Sequence, residues 1–231
     1  MIKTKWFEVS TPKRINEISD ALSTHRFRRG ALTGVELISA SDKQIEGKFI
    51  EELHDTEIYF DPFGDEIRNE VRRFSIFVFV LFRVRKGNYL LRVTAGPRNL
   101  RSFVQFLSDA IGFGLAVSPV TVDVVSFLNM LKLTKGFQLV RIKKIRVGQI
   151  RLAGKSVARV EVTSAVDALD DLTETIALGD AVLEKASVDF HLDGRARNVE
   201  LTATGTLTTD LSLLSVITPM FLKCLSRDDE L

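Results

Sequence analysis

The 231 residues suffice for one large domain or two small ones, and 45% of them are hydrophobic, the level of a chain with a packed core. One cysteine, Cys224, excludes an internal disulfide and fits a reducing compartment. The longest apolar run, Phe74–Phe82, is far short of the roughly 20 residues that a membrane-spanning helix needs. The net charge of +2 conceals segregation: residues 1–70 hold ten Lys/Arg against fourteen Asp/Glu, residues 71–160 seventeen against two, and residues 161–231 five against fourteen.

In chain order, Ile2 to Val9 reads as a strand and Pro12 to His25 as a helix. Ser10 or Thr11 would cap that helix, and Ile15, Ile18 and Leu22 would form its buried stripe. Strands are expected at Gly34–Ala40, Gln44–Leu53 and Glu57–Phe60, with a turn at Asp61-Pro62-Phe63-Gly64-Asp65. The clearest unit is a hairpin: Arg73–Arg85, a tight turn at Lys86-Gly87-Asn88, and Tyr89–Thr94. Alternation predicts that Ile76, Val78, Val80 and Phe82 share one face and that Arg83 and Arg85 lie on the other. A helix from Pro97 to about Ile111 follows, apolar along Leu100, Phe103, Val104, Leu107 and Ile111, and stopped by Gly112-Phe113-Gly114.

The second half opens with a helix at Val122–Leu133, then a strand pair at Phe137–Val147 and Ser156–Thr163. A helix over Val166–Leu178 and a hairpin, Ser187–Leu192 with Asn198–Thr204 around Asp193-Gly194, come next. The final helix spans Leu207–Leu225, with Pro219 bending it or ending its first segment. The expected class is α+β: antiparallel sheet covered by helices. Residues 1–115 and 116–231 form two halves whose strand–helix junctions, Glu8-Val9-Ser10-Thr11 and Glu161-Val162-Thr163-Ser164, suggest a pseudo-repeat.

The cations of the middle stretch are the feature that points to a partner. Arg83, Arg85, Lys86 and Arg92 gather near one end of the hairpin, and Arg98 and Arg101 fall on the polar side of the next helix. In Phe137–Val147 the apolar parity switches between Ile142 and Ile145. A β-bulge at Lys143-Lys144 would bring Arg141, Lys143, Lys144 and Arg146 onto one face, continued by Arg151, Lys155 and Arg159. Such a concentration is the electrostatic footprint of a phosphate-backbone binder. It also fits charges that pair with the chain's own acidic ends or with a sister subunit.

Catalytic chemistry finds less support. Glu46-Gly47-Lys48, with Asp42 before it and Glu17 on the first helix, has the carboxylate and Glu-x-Lys order of a divalent-metal nuclease. His54, Asp55, Asp61, Asp65 and Glu66 surround a turn with oxygen donors, but match no known ligand spacing. His25 and His191 stand alone, and Gly87, Gly112 and Gly114 lack the context of a phosphate loop. The expectation is a cytoplasmic, non-catalytic binding subunit with no metal or cofactor. Its basic surface within residues 71–160 would meet nucleic acid, an acidic protein or a sister subunit in an oligomer, and not a membrane. The alternatives are the metal-dependent nuclease and a structural or assembly protein of self-complementary charge.

Overall fold

The computed structural model describes residues 1–151, 156–175 and 181–225, and the chain is a mixed α/β fold dominated by antiparallel strand pairing. It separates into two compact units, one of residues 7–118 and one of residues 1–6 with 119–231. The first strand, β1 (Ile2–Ser10), contributes its opening residues to one and its closing residues to the other.

In residues 7–118 the elements are α1 (Ile15–Thr24), β2 (Thr33–Ala40), β3 (Gln44–Phe60), β4 (Glu66–Arg85), β5 (Asn88–Thr94), α2 (Arg101–Ile111) and β6 (Ala116–Pro119), whose last residue falls in the other unit. The strand order is β2-β3-β4-β5-β1, with β6 also paired to β1. Helix α1 starts three residues later than expected. Arg14 is its N-cap and Glu17 accepts a hydrogen bond from the Arg14 N–H, so the Ser10/Thr11 cap is not used. Its stripe is as read: Ile15, Ile18 and Leu22 are buried.

Two strand boundaries are corrected. The stretches Gln44–Leu53 and Glu57–Phe60 are one strand, β3, and β4 begins at Glu66 rather than Arg73. Of the two faces of β4, the one opposite Ile76, Val78, Val80 and Phe82 meets α2. Phe77, Phe79 and Leu81 enter the core, whereas Ile76 is 57% exposed. From Phe77 to Phe82 the strand is apolar at every position, so alternation could not choose a side. Arg83 and Arg85 therefore share the parity of the core residues, just past the end of the core.

The core of this unit gathers α1 and α2 with β2–β5 and Val9 of β1. Phe103 of α2 is its aromatic centre, with ring centroids 5.0 Å from Phe49, 5.2 Å from Phe77 and 5.3 Å from Phe79. Gly47 lets β2 and β3 sit under those rings, because a Cβ there would stand 2.9 Å from the Phe79 ring.

The other unit contains α3 (Val124–Leu133), β7 (Gln138–Arg151), β8 (Val157–Thr163), α4 (Ala168–Thr175), β9 (Val182–Leu192), β10 (Arg195–Thr202), β11 (Thr206–Thr209), a 3₁₀ turn (Leu211–Leu213) and α5 (Leu214–Lys223). The strand order is β1-β11-β10-β9-β7-β8. The expected helix Leu207–Leu225 is shorter: strand β11 and the 3₁₀ turn occupy its first third, and Pro219 lies inside α5. Residues 176–178 of the expected helix Val166–Leu178 lie outside the described residues. Trp6 of β1 packs on Phe221 of α5 at 5.0 Å, and Phe137 on Phe190 of β9 at 5.0 Å. Among the described residues no helix is long and apolar enough to cross a membrane.

Candidate anion-binding surface

The end of the β4–β5 hairpin is built around Gly87. Its positive φ of 81° makes the two-residue turn after Arg85, and its carbonyl accepts the Thr11 N–H at 2.9 Å. That bond ties the turn to the segment between β1 and α1. Buried Tyr89 completes the tie by donating its hydroxyl to the Lys13 carbonyl at 2.7 Å. Burial raises the Tyr89 phenol above its ordinary pKa while nearby Arg83 opposes the shift, so the ring stays a neutral donor.

This arrangement sets Arg83 and Lys86 against the start of α1. With Arg14, Ile15, Asn16, Asp42 and Tyr89 they line a hollow of about 410 Å³. Arg83 donates to the backbone carbonyl of Asp42 at 3.3 Å, a neutral acceptor. Arg14, Arg83, Arg85 and Lys86 are all exposed, and among the described residues none of the four has a salt-bridge partner. The single acidic side chain in the lining is Asp42. The first backbone N–H groups of α1 add partial positive charge at the same end.

The other hairpin cations are placed differently. Arg92 of β5 is half-buried with its guanidinium 5.5 Å over the Phe82 ring; burial lowers its pKa and Glu46 partly offsets this. Arg98 lies in the loop before α2, not on the helix, and Arg101 is the first residue of α2, its N–H donated to Asn99 at 2.9 Å.

The β7 cluster has the expected geometry but little spare charge. Ile142 pairs with Val188 and Lys144 with Ser187, leaving Lys143 as the extra residue of a bulge. Arg141, Lys143, Lys144 and Arg146 consequently avoid the buried side that holds Ile142, Ile145 and Val147. Carboxylates of neighbouring strands meet three of them. Arg141 bonds Asp189 of β9 at 3.1 Å, and Lys144 and Arg146 both bond Glu161 of β8, Arg146 at 2.8 Å. The two cations hold the Glu161 carboxyl down at about 2. Asp189 is also lowered: burial pushes it up, but hydrogen bonds from Asn198 and Arg141 outweigh that. Arg159 of β8 pairs with Glu184 at 2.9 Å, and Lys185 of β9 with Glu200 of β10 at 2.8 Å. Arg151 ends β7, and Lys155 lies outside the described residues.

The acidic partners were not identified from sequence, because they come from strands far along the chain. The same holds for a second hollow, of about 680 Å³, where Arg141, Asp189, Asn198, His191, Arg197 and Asp210 meet. Arg197 pairs there with Asp210 at 3.0 Å.

The catalytic candidates do not assemble. Lys48 stands 3.9 Å from Glu36, and Glu17 is engaged in the α1 cap. Asp61 accepts the N–H groups of Phe63 and Asp65 at 2.8 and 2.9 Å, which makes it a turn-forming carboxylate, and His54 lies 3.1 Å from Glu52. His25 bonds the Ala21 carbonyl at 2.9 Å and packs edge-on against Phe106. Among the described residues no three His, Cys, Asp or Glu side chains are gathered so as to hold a metal ion.

No protein-family model matches the chain, and no curated protein does. Among solved structures, the di-domain ARO/CYC StfQ from the steffimycin biosynthetic pathway aligns over 94% of this chain and 87% of its own, at 10% identity and a TM-score of 0.22. DynU16, from the dynemicin biosynthetic locus, aligns over 96% and 93%, at 11% identity and a TM-score of 0.18. Likeness at that level assigns neither a fold nor a chemistry to this chain.

Proposed function

We propose that this chain is a non-catalytic binding subunit that holds a nucleic-acid backbone at the basic end of the β4–β5 hairpin. The observation that carries the reading is the contrast between two cation groups. Arg14, Arg83 and Lys86 converge on a hollow with one carboxylate, whereas Arg141, Lys144 and Arg146 already face acids of their own unit. Phosphate oxygens would accept from the two guanidinium forks and the ammonium, a geometry that positions a backbone without reading its sequence. The exposed Arg85, last residue of β4, would extend the contact along the strand. An acidic protein segment would meet the same groups and is the partner left if nucleic acid does not bind. The experiment is a salt-titrated binding assay with single- and double-stranded DNA and RNA, comparing the parent with Arg83→Gln/Arg85→Gln/Lys86→Gln. Weakened binding for every sequence, with an unchanged melting temperature, is the expected result. Equal binding by parent and variant rejects this surface.

The β7 face supports a second reading, an assembly role for self-complementary charge, because its cations and acids alternate from β8 across to β10. The finer architecture belongs to the same proposal: helices laid on antiparallel strands in two pseudo-repeated units. Helices α1 and α2 flank β2–β5 in the chain order of one, as α3 and α5 flank β7–β11 in the other. So does a cytoplasmic location, in keeping with a lone thiol, Cys224, that burial pushes up to about 11 and so leaves unreactive.

A further inference from the structure

Strands β3 and β4 outrun their neighbours. They pair with each other from Gln44↔Phe82 to Phe60↔Glu66, but β2 reaches only to Glu51 along β3 and β5 only to Val78 along β4. Residues 52–60 and 66–74 therefore form a two-stranded arm whose outer edges have no strand partner among the described residues. Leu53, Ile58, Tyr59, Phe60, Phe63 and Ile67 are all exposed on it. A two-stranded ribbon is marginal alone, and a long open edge bearing apolar side chains is a template for another strand.

The open edge of β4 carries a pattern that names its partner. From the turn residue Asp65 into the strand it reads Asp65-Glu66-Ile67-Arg68-Asn69-Glu70-Val71-Arg72-Arg73. Laid antiparallel against a second copy about Asn69, it sets Asp65 opposite Arg73, Glu66 opposite Arg72, Ile67 opposite Val71 and Arg68 opposite Glu70. Asn69 faces its own symmetry mate. Moving the centre to Arg68 opposes Glu66 to Glu70; moving it to Glu70 opposes Arg68 to Arg72. One register thus satisfies every charge, and its neighbours are penalised by like-charge contacts. The arm's existing ion pairs share these residues: Arg68 pairs with Glu66 at 2.6 Å within β4, and Arg72 with Glu52 and Arg73 with Asp55 and Glu57 reach to β3; all are exposed pairs of little individual worth, which strand addition would exchange for the pairs across the axis.

From this self-complementary register we infer that the chain forms a two-fold symmetric dimer by β4-to-β4 strand addition centred on Asn69. The dimer joins the two arms into a four-stranded ribbon, β3-β4-β4-β3, with the isologous contact that a two-fold axis requires. It goes beyond the anion-binding reading and uses none of its residues, so either can fail alone.

The test uses the full chain in sedimentation equilibrium. The parent should be dimeric at micromolar concentration. Glu70→Arg, which sets arginine against Arg68 twice across the axis, should raise the dimer dissociation constant at least about tenfold. Adding Arg68→Glu to that variant should restore the dimer, because opposite charges then face each other again with their positions exchanged. Asn69→Cys should form an intermolecular disulfide on mild oxidation, since directly opposed residues lie within bridging distance, and it should cross-link well ahead of Glu70→Cys. Cys224 is buried and should not interfere. A monomeric parent, a Glu70→Arg variant that dimerises like it, or equal cross-linking at 69 and 70 would overturn the proposal.

Discussion

Phe103 and Glu161 show how differently single residues hold this protein. Phe103 is 1% exposed and touches three other phenylalanine rings. Phe103→Ala opens a cavity that rigid strands cannot close, and should cost about 3–5 kcal/mol in urea denaturation. A loss below about 1 kcal/mol would mean that α2 does not pack through this ring. Glu161 is a surface group whose environment shows in its titration. Lys144 and Arg146 depress its folded-state pKa to about 2. Its contribution to stability is therefore present above the usual carboxylate range and lost as pH falls from there through about 2. Carboxyl NMR should place its midpoint near 2, and Lys144→Gln/Arg146→Gln should return it toward 4.5. A parent midpoint near the ordinary value would mean that the pairs seen on β7 do not persist in solution.

At the scale of elements, legibility followed burial. The stripe Ile15, Ile18 and Leu22 marked α1, and the parity switch between Ile142 and Ile145 marked the β7 bulge, because both patterns are imposed by a buried side. The arm has no buried side over residues 54–56 and 66–72, so no alternation betrayed that the strands read at Gln44–Leu53 and Glu57–Phe60 are one or that β4 starts before Arg73. Strand β11 was missed because four residues with two buried positions cannot be told from the start of the apolar helix behind them. In the candidate site, Gly87 disclosed the turn that clusters Arg83, Arg85 and Lys86. Neither Arg14 beside them nor Glu161 opposite Arg146 could be read, since each depends on pairing between distant segments. The bulge itself makes a prediction. Lys143 is the inserted residue, and Ile142 and Lys144 already oppose consecutive residues of β9. Deleting Lys143 should leave a folded strand that pairs without a break from Arg141 to Arg146, at a cost of about 1 kcal/mol, chiefly the bond its carbonyl takes from the Ser164 N–H at 3.0 Å. Inserting Ala after Ile145 should instead turn Val147 outward and cost more than about 4 kcal/mol. Thermal melts of the two variants separate these outcomes, and equal damage from both would contradict the bulge.

For the whole molecule, a net charge of +2 is the sum of two different arrangements. In the unit that holds β7, cations from the basic stretch meet acids from the C-terminal third, and the charge is neutralised within the fold. In residues 7–118 the hairpin-end cations surround a hollow whose lining holds one carboxylate, Asp42, and among the described residues they have no salt-bridge partner. Surface pairs contribute little stability, so removing either group should leave the fold intact and expose its effect on binding. The most direct measurement is the salt dependence of nucleic-acid affinity for the parent and for two Gln variants, one at Arg83, Arg85 and Lys86, the other at Arg141, Lys144 and Arg146. Each cation that neutralises a phosphate should steepen the log–log slope by about 0.9 on duplex or about 0.7 on single strands. The hairpin-end variant should flatten the slope by two to three such steps, and the β7 variant should leave it within one step of the parent. A slope flattened by the β7 variant and untouched by the hairpin-end variant would contradict the assignment.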